Sequence, residues 1–502
     1  MHVWHNAGLS SDCHTPIIRC LSHAQRPRIT RIPVGKSDLS HAESSLLSPV
    51  DAAWLSMESP ANPMTITVML RVDGLTAPVF KQFLENHWLR IERFRCRPVH
   101  KGTAWWWEED ELFRLRHHFK VVPEIFDEGQ LQDWLSARLN QPLPDYRPRW
   151  CFWLLPQARG GAALLLRLHH CYADGLSLID LFNALTTTAP DAMPAQTIGS
   201  AKAADASRWR DAGWQWLQSQ VKLADTGTLD DVDTDRPDNP LDARRKQLER
   251  AAWSGLRLVN ELSEYVLEPE DTATRFKPGL LGRRTCRWSA PVPLAAFRDI
   301  AQNTNCKIND VLLACVAQAL RKQLEQDDLD LEEVMLHAAV PVDIRALLPD
   351  SVRPRPGELG NLFGTVFVPL PVDAQSPLES LYRVKHETRR LKRSWQPGIS
   401  WGLMCSAGLL PKGWQQPIAD LFCRKASAVV SNVRGTPETR YLAGCRVREQ
   451  MFWVPQSGDI GLGLSIVSYN NQVQFGVVAD EAVMPDPQPF LDDCIGALQG
   501  WQ

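Results

Sequence analysis

The stretch GAALLLRLHHCYADGLSLIDLFNAL, residues 161–185, constrains the fold more than any other. Its first ten residues are an apolar run bounded by turn signals, the pattern of a buried strand. Asp174-Gly175 then turns the chain, because glycine permits φ > 0 and an aspartate can hydrogen-bond the turn's own backbone. Leu178, Leu181, Phe182 and Leu185 follow on one face of a helix. CFWLLPQ, just upstream, reads as a second buried strand separated by the turn ARGG.

The same two periods recur along the chain. MTITVMLRV (64–72) reads as a strand and LQDWLSARLNQPL (131–143) as a helix. Between about 187 and 270 small, acidic and proline-containing segments read as linker, with helices near Trp209–Lys222 and over 247–267. The second half alternates again. LAAFRDIAQNTNC, NDVLLACVAQALRKQL and the basic SPLESLYRVKHETRRLKRS look helical; EVMLHAAVPVDI, NLFGTVFVPLPV, SAVVSNV, GLGLSIVSYN and NQVQFGVVAD look like strands. The last two make a hairpin around Asn470-Asn471, since asparagine tolerates φ > 0. A chain of 502 residues arranged this way fits an α/β or α+β enzyme of two domains. The expected divisions are a disordered N-terminal extension (1–42), an N-terminal domain (43–190), linker and crossover helices (191–270) and a C-terminal domain (271–502).

In a strand, alternate side chains share a face, so Leu164, Leu166, Leu168 and His170 point one way and Leu165, Arg167 and His169 the other. His170 thus brings an imidazole to the edge of an apolar space. With an ordinary pKa of ~6.5 it is suited to taking a proton from a weakly acidic hydroxyl. The competing reading is a core histidine bonded to a backbone carbonyl, the role assigned to the pair His117-His118. Zinc is disfavoured, because neighbouring strand residues diverge and no third ligand is spaced nearby.

Other chemistries are excluded by pattern. A formal charge of −3 gives no footprint for nucleic acid. The 12 cysteines are scattered without C-x-x-C pairs, which suits reduced thiols in a cytosolic protein. No window reaches the ~18 apolar residues of a membrane span. GISWG (398–402) matches a nucleophile elbow, but a basic helix precedes it and no histidine follows Ser400. Phosphate-cradling glycine motifs are absent.

HHCYADG reads as HHxxxDG, which resembles the active-site motif of the CoA-dependent acyltransferase superfamily. LSPVDAAWLSMESPANPM, RPRW, KINDVLLACVAQALR, GELGNLFGTVFVPLPV, VVSNVRGTPETRYLAGC and LSIVSYNNQVQFGVVAD follow in the order of the bacterial wax ester synthase/acyl-CoA:diacylglycerol acyltransferase family. The resemblance spans about residues 46–485. It implies a two-domain, chloramphenicol acetyltransferase-like α/β fold with a tunnel between the halves. Also implied is transfer of a long-chain acyl group from acyl-CoA to diacylglycerol or a long-chain alcohol. No cofactor or metal is called for, acyl-CoA being a substrate.

The family's general base falls on His170, with His169 beside it and Asp174 holding the loop. Asn309 and Asp310 match its Asn-Asp motif; Asn309 would also suit the N-cap of a helix starting near Val311. Gly175, Asp310, Ser431 and Asn432 are carried over as substrate-binding, Asn309 as catalytic, and Arg345 as the partner of Asp174. This sequence departs from the family at Arg149 in Pro148-Arg149-Trp150, at Arg434 in SNVRG and at Lys277-Pro278-Gly279. The alternatives are the same fold acting on a polyketide, sugar or amine acceptor, or a catalytically weak lipid-binding or granule-coating homologue. The expected location is cytoplasmic, with peripheral contact to a membrane or lipid droplet surface.

Overall fold

The computed structural model describes residues 44–156, 158, 161–194, 260–327, 329–348, 359–410 and 423–501. The extension expected over 1–42 and the helix expected near 209–222 lie outside the described residues. Of the helix expected over 247–267, the described part is 260–267.

The N-terminal stretch forms β1 (Ser45–Leu46), β2 (Thr65–Val72), β3 (Cys96–Lys101), β4 (Ala104–Glu109), β5 (Phe119–Val121), β6 (Trp150–Leu155) and β7 (Ala162–His169). The C-terminal stretch forms β8 (Arg284–Trp288), β9 (Val292–Pro293), β10 (Leu336–Asp343), β11 (Phe363–Leu370) and β12 (Ala428–Arg434). β13 (Tyr441–Leu442), β14 (Cys445–Trp453), β15 (Leu462–Tyr469) and β16 (Gln472–Asp480) complete it. The hairpin between β15 and β16 turns at Asn470 and Asn471, with φ of 50° and 58°.

Among the described residues one large sheet runs β11-β10-β12-β15-β16-β8, with β9 beside β16; the second large sheet runs β13-β14-β2-β7-β6-β5; and a small third one runs β1-β4-β3. β13 and β14 come from the C-terminal stretch, yet β14 pairs antiparallel with β2, Met451 opposite Met69. The halves laid out in sequence as 43–190 and 271–502 are therefore interleaved in space. Residues 445–453 give weak strand signals because Arg446, Arg448 and Glu449 fill the first half. The buried Met451, Phe452 and Trp453 anchor the crossing.

A core shared by the two sheets seals them together: Met69, Leu165 and Trp453 pack in one cluster with Cys286, Val467 and Val478. The larger core lies on the other side of the C-terminal sheet, around the helix Ile308–Leu324, whose Val311 to Ala317 are buried all round. Local signals set the helix starts. Ser48 caps Pro49–Met57, Asp127 closes a capping box on Glu128–Leu139, and Asp174 caps Gly175–Leu185.

Candidate active site

β7 ends at His169, and the next residue leaves the strand's alternation: the His170 amide donates to Met64 O at 2.8 Å. Its imidazole stacks on Trp54, centroids 4.0 Å apart and planes within 18°. Nδ1 lies 2.9 Å from Asn361 Oδ1. The Asn361 amide nitrogen donates to Asp51 Oδ1 at 2.7 Å and to His170 O at 2.8 Å. The oxygen is thus the end facing the ring, so Nδ1 carries the proton and Nε2 keeps its lone pair. Burial pulls the imidazole down to about 4, against the upward influence of Asp174 and Asn361. Burial also raises the Asp51 carboxyl, offset in part by Arg93 at 3.8 Å.

The ring lines a cavity walled from both halves, by Trp54, Leu176, Phe363, Met404, Val433 and Ile460 among others. Ser431, Asn432, Asp174 and Gly175 also reach it. The leucine face expected beneath His170 belongs elsewhere. Leu164 and Leu166 wall a second apolar space, and Leu168 is fully buried. The two spaces adjoin at Gly175, Val433 and Val454.

His169 turns the other way. Its Nδ1 accepts the Cys171 amide at 3.1 Å, and Nε2 faces Glu58 Oε1 at 3.5 Å. Burial lowers its pKa. Glu58 binds Arg149 at 2.6 Å, so the arginine that departs from the family pattern has its counter-charge on site. Burial alone would raise the Glu58 carboxyl; His169 and Arg149 together hold it below the usual value.

Asp174 is occupied on every side. Oδ1 accepts the Ser177 amide at 2.7 Å, Oδ2 the Leu362 amide at 2.8 Å, and Arg345 Nη2 sits 2.9 and 3.0 Å from the two oxygens. Gly175 does not need the positive φ expected of it. As the first helical residue it has ordinary backbone angles, and a Cβ there would meet only Val433 Cγ2 at 3.5 Å.

The Asn-Asp pair departs from expectation. The helix begins at Ile308 with Lys307 as N-cap, so Asn309 is not the cap. The cause is Asp310, which reaches back to accept the Lys307 amide at 2.8 Å and starts the helix earlier. Asp310 also accepts from Thr388 Oγ1 at 2.7 Å, so both its oxygens are used inside the protein. Asn309 does not line the cavity; its Oδ1 accepts from Asn432 Nδ2 at 2.9 Å at the exposed rim. Ser400 sits within the helix Gln396–Leu409, its Oγ donating to Pro397 O and accepting the Thr365 amide. His118 donates through Nδ1 to Trp150 O at 2.8 Å, a core role.

Asn361, Asp51 and Trp54 were not singled out in the sequence. They lie in GELGNLFG and SPVDAAW, segments that carry the resemblance but no spacing rule that marks a histidine's partners.

Two interleaved sheets holding a histidine against a cavity between them define a two-domain acyltransferase of the chloramphenicol acetyltransferase-like type. The solved wax ester synthase/diacylglycerol acyltransferase from Marinobacter aquaeolei VT8 has this fold, with a TM-score of 0.61 at 20% identity over 91% of this chain and 98% of that one. The chain belongs to the wax ester synthase/diacylglycerol acyltransferase family: the catalytic domain matches residues 47–312 and the C-terminal domain residues 359–501. The probable diacylglycerol O-acyltransferase tgs1 of Mycobacterium tuberculosis is 24% identical over 90% of this chain and 95% of its own length. O-acyltransferase WSD of Acinetobacter baylyi is 23% identical over 89% and 94%. The protein is an acyltransferase. Among the described residues no helix is long and apolar enough to cross a membrane.

Proposed function

We propose that the protein moves a long-chain acyl group from acyl-CoA to the hydroxyl of diacylglycerol or a long-chain alcohol, with His170 as general base. The observation that carries this is the Asn361-fixed imidazole on the wall of the cavity between the halves. His170 Nε2 accepts the acceptor's hydroxyl proton while the hydroxyl oxygen attacks the thioester carbonyl. The tetrahedral intermediate collapses with cleavage of the C–S bond, and the imidazolium returns the proton to the leaving CoA thiolate. No covalent acyl-enzyme, cofactor or metal enters the scheme.

The buried Ser431, on the cavity wall, holds the developing oxyanion; Asn309 lies off that wall, its amide oxygen held by Asn432. Asp174 and Arg345 position the loop, and Asn432 borders the entrance. The apolar walls suit alkyl chains, and reach to them implies contact with a membrane or lipid droplet surface.

The test supplies palmitoyl-CoA with hexadecanol and, separately, with dioleoylglycerol, following free thiol and ester product. Thiol release matched by ester in either reaction supports the reading. Thiol release without ester in both would replace it with another acceptor, and no release with either would favour a lipid-binding role.

A further inference from the structure

Arg167 lies on the face of β7 opposite Leu164, Leu166 and Leu168 and has no part in the reaction scheme. It is 1% exposed. Its Nη2 makes one long contact, 3.4 Å to Leu139 O, and Nε has no protein partner. Arg284, on β8 of the other sheet, is 5% exposed. Its Nε donates to Gln456 Oε1 at 3.0 Å and Nη2 to Ala61 O and Asn62 Oδ1, while Nη1 is unpartnered. The buried hydroxyl of Thr65 is unpartnered too. All three side chains line one small cavity with room for about one water-sized body.

Two buried guanidiniums share this cavity, and among the described residues its lining contains no carboxylate; Asp480 and Glu58 favour the charged forms of Arg284 and Arg167 only from outside it, with no ion pair to either. Both carboxylates also have hydrogen-bonding partners of their own. Glu58 serves Arg149 and His169, and Asp480 accepts the amides of Leu281, Gly282 and Ala482. Arg138, from the helix beside the cavity, adds a further positive influence on Arg167. Burial draws both arginines down to about 10, which leaves them charged at neutral pH.

We propose that a small monovalent anion of chloride size binds in this cavity, bridging Arg167 Nε, Arg284 Nη1 and the Thr65 hydroxyl and so clamping the two sheets together. A water would satisfy the hydrogen bonds but not the charge. The position gives the anion consequence for the reaction site. Val454 and Pro455 wall both this cavity and that of His170, and Thr65 is paired with His169 across β2 and β7.

The test uses the full chain dialysed into sodium gluconate, then titrated with sodium chloride at constant ionic strength. Chloride should raise the melting temperature saturably by about 2–4 °C, the behaviour of a ligand bound only by the folded state. Crystals soaked in bromide should show anomalous density within hydrogen-bond distance of Arg167 Nε and Arg284 Nη1. Arg167→Met, which keeps the apolar stem, should lose the chloride dependence. A melting temperature indifferent to the anion, bromide absent from the cavity, or an unchanged chloride response in Arg167→Met would each overturn the proposal. Should that variant fail to fold, the wild-type bromide experiment decides alone.

Discussion

Arg345 Nη2 lies 2.9 and 3.0 Å from the two carboxylate oxygens of Asp174, joining the loop after β10 to the turn after β7. The same guanidinium holds Ser177 Oγ and Asp343 Oδ1, both at 2.9 Å. The aspartate of the HHxxxDG motif is thereby a clamp between the halves, three donors making four hydrogen bonds to its carboxylate. Asp174→Asn would set an amide NH2 against donors already aimed at that place. The expected cost is on the order of 3 kcal/mol, the lower range for breaking a buried pair. Arg345→Met should destabilise in the same direction, and the double variant should fall short of the sum. Strictly additive melting-temperature losses would show that the two do not act as a unit.

Asn361 acts on the reaction through His170. With Asn361→Ala, Nδ1 loses its acceptor and the proton is free to occupy either nitrogen, so a share of molecules presents a donor where a base is needed. We expect kcat to fall about tenfold or more, within the span of general-base effects, with a smaller change in KM. The pH–rate profile separates this from simple loosening, since the apparent pKa of the base should move. A variant with lower kcat and an unmoved profile would make Asn361 a packing residue.

Much of this site was legible because its signals are local. Asp174 follows a buried strand and precedes an apolar helical face, and it caps that helix through the Ser177 amide. The hairpin asparagines and the strand–helix order of the second half are likewise written in two- and four-residue periods. Contacts across long separations were not legible. Asp51, Asn361 and His170 form one hydrogen-bonded chain although 119 and 191 residues separate His170 from Asp51 and from Asn361, reckoned from their numbers. β14 crosses to the other half on three apolar residues behind a charged start. The leucine face misled for a related reason: the strand period was extended one residue past its end, to a histidine that the turn orients.

The buried imidazole fixes a pH dependence. With a pKa of about 4 in the folded protein, His170 stays neutral well below the ordinary ~6.5. The unfolded chain binds this proton near 6.5 and the folded chain only near 4, so the contribution to stability is present above 6.5 and is lost as pH falls across that window. The denaturation midpoint in urea should therefore drop between pH 7 and 5, and less steeply in His170→Gln. For activity, kcat/KM should hold its plateau down to pH 6, where an imidazole of pKa 6.5 would be only about a quarter neutral. A loss of kcat/KM that tracks a pKa near 6.5 contradicts the buried-base assignment.

The two histidines should separate by which quantity they control. His170 faces the cavity, whereas His169 faces Glu58 and the Cys171 amide with no exposed surface. His170→Ala should reduce kcat by ~10²–10⁴, the range for removing a general base. It should also cost roughly 1–3 kcal/mol of stability, because the Trp54 stack is lost and Asn361 Oδ1 is left without its donor. The stability loss follows from burial that the strand pattern alone does not reveal. His169→Ala should lower the melting temperature comparably, since the Cys171 amide loses its acceptor, while kcat stays within about tenfold of wild type, short of the general-base range. Comparable stability with unequal turnover is the decisive pattern. If His170→Ala retains more than about a tenth of the wild-type rate, the imidazole on the cavity wall is a core side chain and the proton goes elsewhere.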